Sequence, residues 1–278
     1  TPCGTLFPYT TLFRSAMIYK EKTETLRKGL FDIHNTVGLG RNEEAYHQAY
    51  RVWLATHGVP FQSKPAHTLK LKNENAHVLY PDFVVWDCIT VELKALARHL
   101  RAEERVQLFD YLKCRNDRLG LLVNMGLDRV HVDRLVYDPG DALLFEDWKH
   151  WNGEIAGEAR QTGGTVRQAL LDIYEQHGTG YGSEVLEKLI HAALRHNKLS
   201  FGAKPRCRTE YEGHNLGISP LDCIIVDNAI LLVFTALFDT NQFNLSRGLS
   251  FMHSLNLKWG IAANFGKKTL EINGLRAQ

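Results

Sequence analysis

The sequence predicts an α/β protein in which a mixed sheet flanked by helices occurs twice in tandem. Three observations carry this prediction. The chain has 278 residues, enough for two small domains, and 44% of them are hydrophobic. Residues 25–126 match residues 165–266 at 19 of 102 positions without a gap, where average composition gives roughly six identities by chance. Helical and strand patterns also alternate along each half.

The matched positions indicate a duplication at an offset of 140. TLRKGLFDI at 25–33 lies over TVRQALLDI at 165–173. At the same offset Asp82 lies over Asp222, so we expect Asp222 to occupy the corresponding place in the second repeat as a turn or structural residue.

Each repeat reads as α-β-β-β-α-β. In the first repeat, Leu26, Leu30 and Ile33 at helical spacing predict a helix over 24–37. Alternating apolar and polar residues predict a half-buried strand over 67–72. The other predicted elements of this repeat are helices over 43–57 and 102–114 and strands over 79–86, 89–95, 119–124 and 129–137.

These elements set the predicted domain boundaries. Residues 17–138 form the first domain, residues 139–164 a linker ending in two glycines, and residues 165–278 the second domain. Residues 1–16 lack the basic start and apolar core of a secretory signal and look like a translated adapter sequence. We therefore expect a non-native extension ahead of Met17.

Composition and charge exclude several classes of protein. Lys and Arg number 33 against 31 acidic residues, a net charge of +2, which argues against a polybasic tail but leaves room for a local basic groove. No apolar run is long enough to span a bilayer. The five cysteines show no metal-binding spacing, which is typical of a reducing compartment. We expect a cytoplasmic protein without a membrane partner.

The residues that could bind a metal or take part in catalysis lie in the first repeat. Asp82 follows a proline, and after nine intervening residues a strand carries Glu92 and Lys94. Side chains two apart on a strand share a face, and a tight turn near Asp87 would set Asp82 beside Glu92. Converging carboxylates repel each other unless a cation lies between them, and oxygen ligands suit Mg²⁺ or Mn²⁺. The alternative is an ordinary ion pair on an exposed strand.

Further motifs surround this pair in order. Glu43 lies in G-x-x-E-x-x-Y, Gln107 and Tyr111 form Q-x-x-x-Y, and G-L-L-x-N follows at 120–124. The set, spanning about 38–137, resembles the GxxExxY family of the PD-(D/E)XK nuclease superfamily. The resemblance implies a restriction-endonuclease-like fold, metal-dependent hydrolysis of phosphodiester bonds and a DNA substrate.

The resemblance also implies roles for individual residues. Asp82 and Glu92 would be metal ligands and Lys94 the catalytic lysine. Gln107 and Tyr111 would support that lysine or the scissile strand.

Either of two adjacent glutamates could supply a further carboxylate to the metal. Glu43 would reach the metal directly or through water, and Glu44 is the alternative. The spacing to Tyr46 favours Glu43.

A local basic strip is the candidate nucleic-acid contact. Residues 17–138 contain 18 basic and 16 acidic residues, so any groove must be local. Arg98, Arg101 and Arg105 follow the catalytic strand at three- and four-residue spacings. The alternative is a solvated helix face on which these arginines pair with neighbouring glutamates.

The second repeat keeps the fold signals and loses the chemistry. Residues 231–235 read Leu-Leu-Val-Phe-Thr where the first repeat has its E-L-K motif, and Glu43 and Gln107 are replaced by Ser183 and Arg247. We expect a degenerate pseudo-nuclease that forms an internal pseudo-dimer with the first repeat.

Three functions remain open. The first is a metal-dependent nuclease acting on DNA, with catalysis in the first repeat and a scaffold or clamp role for the second. Another is the same chemistry on RNA. A third is a non-catalytic nucleic-acid-binding or regulatory module on the same fold.

Overall fold

The computed structural model describes residues 18–277, so the predicted extension over 1–16 lies outside the described residues. The chain divides into two compact units. One takes the chain up to Thr68 together with Val78–Pro139, and the other takes Leu69–His77 together with Gly140 onwards. Within the described chain, each helix is too short or too polar to cross a membrane.

The first repeat forms a five-stranded mixed sheet with helices, as predicted. The sheet order is β1-β4-β5-β6-β7; β5 and β6 are parallel and the other neighbours antiparallel. Strands β2 and β3 form a separate ribbon. In chain order the elements are α1 (Lys20–Val37), α2 (Glu43–Thr56), β1 (Phe61–Ser63), β2 (His67–Leu71), β3 (Glu74–Leu79), β4 (Phe83–Val85), β5 (Ile89–Lys94), α3 (Ala102–Arg115), β6 (Leu119–Asn124) and β7 (His131–Val136).

The first two helices cover one face of this sheet. Leu26 and Leu30 of α1 are fully buried in the core cluster that includes strands β4 to β6. Gly29 lets the helices approach, because a Cβ at this position would lie 2.6 Å from the Trp53 ring of α2. Helix α2 starts at Asn42, whose side chain accepts a hydrogen bond from the N–H of Ala45 at 2.9 Å. This cap fixes the end of α2 from which the site glutamates project.

The second repeat forms a six-stranded mixed sheet. Its order is β8-β15-β14-β13-β12-β9, with β10 and β11 as a separate ribbon. Parallel pairing joins β13 to β14 and β15 to β8. The elements are β8 (Leu143–Asp147), α4 (Gly157–His177), α5 (Ser183–His196), β9 (Phe201–Ala203), β10 (Arg206–Tyr211), β11 (His214–Pro220), β12 (Ile224–Val226), β13 (Ile230–Ala236), α6 (Gln242–Leu255), β14 (Trp259–Phe265) and β15 (Thr269–Arg276).

The segment 139–164, predicted to be a linker, is instead part of the second fold. It contains strand β8 and the first turns of α4, and its two glycines lie inside that helix. Gly163 lacks a side chain that would clash with Trp151, since a Cβ at this position would overlap the tryptophan ring. That tryptophan is buried, and its indole N–H donates to the carbonyl of Leu275 at 2.9 Å. Gly163 therefore accommodates packing, and neither glycine ends a structured region.

The constant offset of 140 fails in the centre of the repeat. Lys64 donates its backbone N–H to the carbonyl of Asp82 at 2.9 Å, and the equivalent Lys204 donates to Cys223 at 2.8 Å. Cys223, and not Asp222, thus occupies the place of Asp82. The register of β10 with β11 shifts by one residue between 209 and 210, which leaves Leu216 as a bulge. Because of this extra residue, equivalent residues of the two repeats differ by 141 at β12 and β13, and again by 140 at β14.

Candidate active site

The β4–β5 hairpin carries the first two candidate residues. Trp86 and Asp87 have positive φ angles of 49° and 52°, and the N–H of Cys88 donates to the carbonyl of Val85 at 3.2 Å. This tight turn joins the paired residues Val85 and Ile89 through three residues. The strand register continues to place Asp82 opposite Glu92, just beyond the last ladder pair.

Asp82 and Glu92 are each tied to the other's strand by a hydrogen bond. The N–H of Asp82 donates to Glu92 Oε2 at 3.3 Å, and the N–H of Leu93 donates to Asp82 Oδ2 at 2.8 Å. Both side chains are buried, at 7% and 3% exposure. Burial first, and the charge of Asp82 second, raise the pKa of Glu92 to about 7. The structure thus brings the two carboxylates together in a poorly solvated place.

Lys94 is the counter-charge of this pair. Its ammonium donates to Glu92 Oε1 at 2.9 Å. Burial alone would lower the pKa of Lys94, but the charge and hydrogen bond of Glu92 outweigh it and the pKa is raised. Asp82 and Glu43 contribute in the same direction. The lysine is therefore held in its charged form by three carboxylates.

Helix α2 separates the roles of its two glutamates. Glu44 is held by the ammonium of Lys64 at 2.9 Å and by the amide of Gln48 at 2.5 Å. The pKa of Glu43 is raised, first by burial and also by the charge of Asp82, while Lys94 opposes the rise. Glu43 is therefore the glutamate that interacts with the site charges, in agreement with its spacing to Tyr46.

Gln107 and Tyr111 lie on helix α3 and contact each other. The Gln107 amide donates to the Tyr111 hydroxyl at 2.8 Å. Tyr111 is buried, and burial together with the charge of Glu92 raises the pKa of its hydroxyl. The pair thus presents a protonated hydroxyl near the Glu92 carboxylate.

Two of the three arginines in the predicted basic strip are neutralised within the fold. Arg98 pairs with Glu104 at 2.6 Å, and Arg105 pairs with Asp133 at 2.7 Å. Arg101 is exposed, and within residues 18–277 its guanidinium forms no ion pair. Only Arg101 has the free charge that the strip requires.

The donor set fits a hard divalent cation. Among the described residues, no three His, Cys, Asp or Glu side chains are grouped as a ready-made metal centre. Mg²⁺, however, is commonly held by one or two carboxylates with waters completing its shell. When all three are ionised, Asp82, Glu92 and Glu43 carry three negative charges against the single positive charge of Lys94, and the raised pKa values of Glu92 and Glu43 reflect burial together with this crowding. Oxygen donors with this excess charge suit Mg²⁺ or Mn²⁺.

A residue that the sequence did not single out also lies beside Asp82. The Nε2 atom of His47 is 3.4 Å from the carbonyl oxygen of Asp82 and 4.0 Å from its Oδ1. The spacing of His47 to the other histidines matches no metal-binding motif, so motif reasoning gives no signal for it. The available signal was its position four residues after Glu43, which places both side chains on one face of the helix.

The equivalent place in the second repeat has no carboxylate or lysine. Cys223 is in the place of Asp82. Val233 and Thr235 are in the places of Glu92 and Lys94, because they pair with β14 as those residues pair with β6. Asp222 lies outside this place and forms an ion pair with Arg247 at 2.9 Å.

Comparison with known proteins agrees with this geometry. The family model of the PD-(D/E)XK nuclease superfamily matches residues 20–135 and again residues 160–275. Neither a curated protein nor a solved structure matches the chain significantly. The two family matches cover most of the chain and coincide with the two folds described above. The chain therefore belongs to the PD-(D/E)XK nuclease superfamily, through two tandem domains.

Proposed function

We propose that the protein is a divalent-metal-dependent nuclease whose first repeat hydrolyses phosphodiester bonds. The observation that carries the proposal is the cluster at the β4–β5 hairpin, where two buried carboxylates and a charged lysine converge. Membership of the nuclease superfamily supports this type of chemistry. The matching cluster is missing from the second repeat.

The residues of the first repeat divide the work. Asp82 and Glu92 would hold Mg²⁺ or Mn²⁺, with Glu43 reaching it directly or through water. When bound, the cation supplies Lewis-acid polarisation of the phosphate and a water that ionises near neutral pH. Lys94 holds a fixed positive charge where negative charge grows on the phosphate. Gln107 orients the Tyr111 hydroxyl toward this group.

The proposal extends to the substrate, the second repeat and the cellular compartment. DNA is favoured over RNA by the resemblance to the GxxExxY family. A scaffold or clamp role is assigned to the second repeat, as one half of an internal pseudo-dimer, because that repeat keeps the fold without the site. Four cysteines in the described residues are free thiols, which suits the cytoplasm.

The proposal is tested by cleavage of single- and double-stranded DNA and RNA with Mg²⁺ or Mn²⁺. Lys94→Ala should lower the cleavage rate by about 10²–10³, as expected for the loss of one electrostatic contact in the transition state. Lys204→Ala is the matched control, because it removes an exposed lysine of the second repeat that pairs with Glu187. Equal rates for wild type and Lys94→Ala, or no cleavage of any substrate, would contradict the proposal.

A non-catalytic nucleic-acid-binding module is the second candidate function. The observation in its favour is that no three-ligand metal centre is preformed among residues 18–277. In that case the wild-type protein would bind nucleic acid and cleave none of the four substrates.

A further inference from the structure

His47 occupies an unusual position for a histidine. It lies on α2, one turn after Glu43, and is 2% exposed. Its ring stacks on Phe83 with centroids 4.3 Å apart and an interplanar angle of 23°. Phe83 is the residue that follows Asp82, so the histidine packs against the backbone of the candidate metal ligand.

The two ring nitrogens of His47 have different surroundings. Nε2 faces three oxygens: the carbonyl of Asp82 at 3.4 Å, the hydroxyl of Ser63 at 3.4 Å and Asp82 Oδ1 at 4.0 Å. Because carbonyl and carboxylate oxygens only accept, the proton belongs on Nε2. The Nδ1 atom is buried without a hydrogen-bond partner among the described residues. An unpaired buried polar atom costs stability, so packing alone does not account for a histidine here.

The Asp82 carboxylate lies between His47 and the backbone of β5. Its Oδ2 accepts the N–H of Leu93 at 2.8 Å, and its Oδ1 faces the imidazole. Its carbonyl oxygen accepts the N–H of Lys64 at 2.9 Å. The N–H of Leu93 therefore fixes one oxygen of the carboxylate. The imidazole contacts the carbonyl of the same residue at 3.4 Å and limits the space open to the other carboxylate oxygen at 4.0 Å.

The second repeat shows that the fold does not require this histidine. At the equivalent helix position it has Glu187, which points to Lys204 at 3.2 Å. Cys223 is in the place of Asp82, and Ala203 is in the place of Ser63. The histidine is therefore absent where the aspartate is absent, although α2 and α5 have the same length.

We propose that His47 is a positioning residue that holds the Asp82 carboxylate in the orientation required to bind a divalent cation. The inference rests on the proposed function, since it assumes that Asp82 is a metal ligand. Groups that hydrogen-bond ligating side chains typically contribute about 10–100-fold to metal affinity or activity.

The test is Mn²⁺ binding by calorimetry on the full chain without nucleic acid, together with thermal unfolding of the metal-free protein. His47→Phe keeps a ring against Phe83 and removes the donor, so it should weaken Mn²⁺ binding about 10–100-fold without lowering the melting temperature. His47→Gln restores an N–H donor and should recover most of the affinity. His191→Phe is the matched control, because this histidine of the second repeat also packs against a phenylalanine, with ring centroids 5.1 Å apart, and has a buried ring nitrogen without a hydrogen-bond partner among the described residues.

Wild-type affinity in His47→Phe would overturn the inference while leaving the proposed function in place. Equal losses of affinity in His47→Phe and His47→Gln, in step with their melting temperatures, would show a packing role and would also overturn it. If the wild-type protein binds no Mn²⁺, the proposed function fails and the inference fails with it.

Discussion

The two repeats build the same sheet around opposite kinds of polar group. At the end of β5 the first repeat holds charged side chains, Asp82, Glu92 and Lys94. At the end of β13 the second repeat holds neutral amides and a hydroxyl. There Asn244 donates to Thr235 Oγ1 at 2.8 Å, and Thr235 donates to Asn264 Oδ1 at 3.0 Å. The same backbone therefore accepts either set.

The two sets differ in how fully their polar atoms are hydrogen-bonded and their charges balanced. The amide network of the second repeat also bonds to main-chain carbonyls, as Asn241 does to Ala262 at 3.0 Å. In the first repeat the carboxylates are buried beside each other, and burial first and the charge of Asp82 second raise the pKa of Glu92 to about 7. A closed network contributes to stability, whereas buried like charges oppose folding. We infer that the charged cluster lowers the folding stability of the first repeat relative to the amide network of the second.

The largest expected effect is on metal binding. Asp82→Asn keeps an oxygen to accept the N–H of Leu93 but removes the charge, so Mn²⁺ binding and metal-dependent cleavage should both be lost. Asp222→Asn changes the same atoms in the second repeat, where the aspartate only pairs with Arg247, and should change neither. Calorimetry and the cleavage assay measure these outcomes. An equal loss in both variants would remove the functional distinction between the repeats.

The next effect concerns the stability of the second repeat. Asn244 is fully buried, and Asn244→Ala leaves Thr235, Asn241 and Arg247 short of partners. We expect a loss of about 2–4 kcal/mol in the free energy of unfolding. The equivalent Glu104→Ala in the first repeat removes a partly exposed ion pair and should cost about 1 kcal/mol. Equilibrium urea denaturation compares the two, and a smaller loss for Asn244→Ala would show that the amide network is not what stabilises this fold.

The raised pKa of Glu92 predicts a pH dependence of stability. The folded pKa of about 7 lies above the ordinary value of 4.5, so between these pH values the folded state binds more protons than the unfolded state. Stability of the metal-free protein therefore falls as the pH rises through this window, by on the order of 3 kcal/mol at most.

Glu92→Gln removes this titration. The variant should be more stable than wild type at pH 8, and the difference should vanish near pH 5. Thermal unfolding at both pH values measures this. A difference that persists at pH 5 would point to a packing effect of the glutamine instead of the relief of repulsion with Asp82.

The smallest effect is on nucleic-acid binding. Arg101 is the arginine of the strip without an ion pair among residues 18–277, so Arg101→Ala should reduce the slope of log affinity against log salt concentration by about 1. Arg118→Ala is the control, because Arg118 precedes β6, at the opposite end of the sheet from Lys94, and pairs with Asp138. Titration of labelled DNA at several salt concentrations measures the slope. Equal slopes would place the nucleic-acid contact elsewhere.

The sequence predicted the fold and the duplication because apolar periodicity and repeated motifs are local signals. It also placed Asp82 near Glu92, since the turn at Trp86 and Asp87 fixes the hairpin register. Gly163 and Gly164 gave a wrong boundary, because glycine is a helix breaker by propensity, whereas Gly163 is required here by the size of Trp151. The pairing of Arg98 with Glu104 is the alternative that the sequence offered. The partner of Arg105, Asp133 of β7, depends on tertiary packing that spacing alone does not encode.

The bulge at Leu216 has a consequence for evolution and for engineering. Because successive residues of a strand face opposite sides, a shift of one residue removes an aspartate from its site even when the amino acid is retained. Asp222 is thus preserved in the sequence and displaced in space. Building the first repeat's cluster into the second would require deletion of one residue before β12 together with new acids and a lysine, so no single substitution is sufficient.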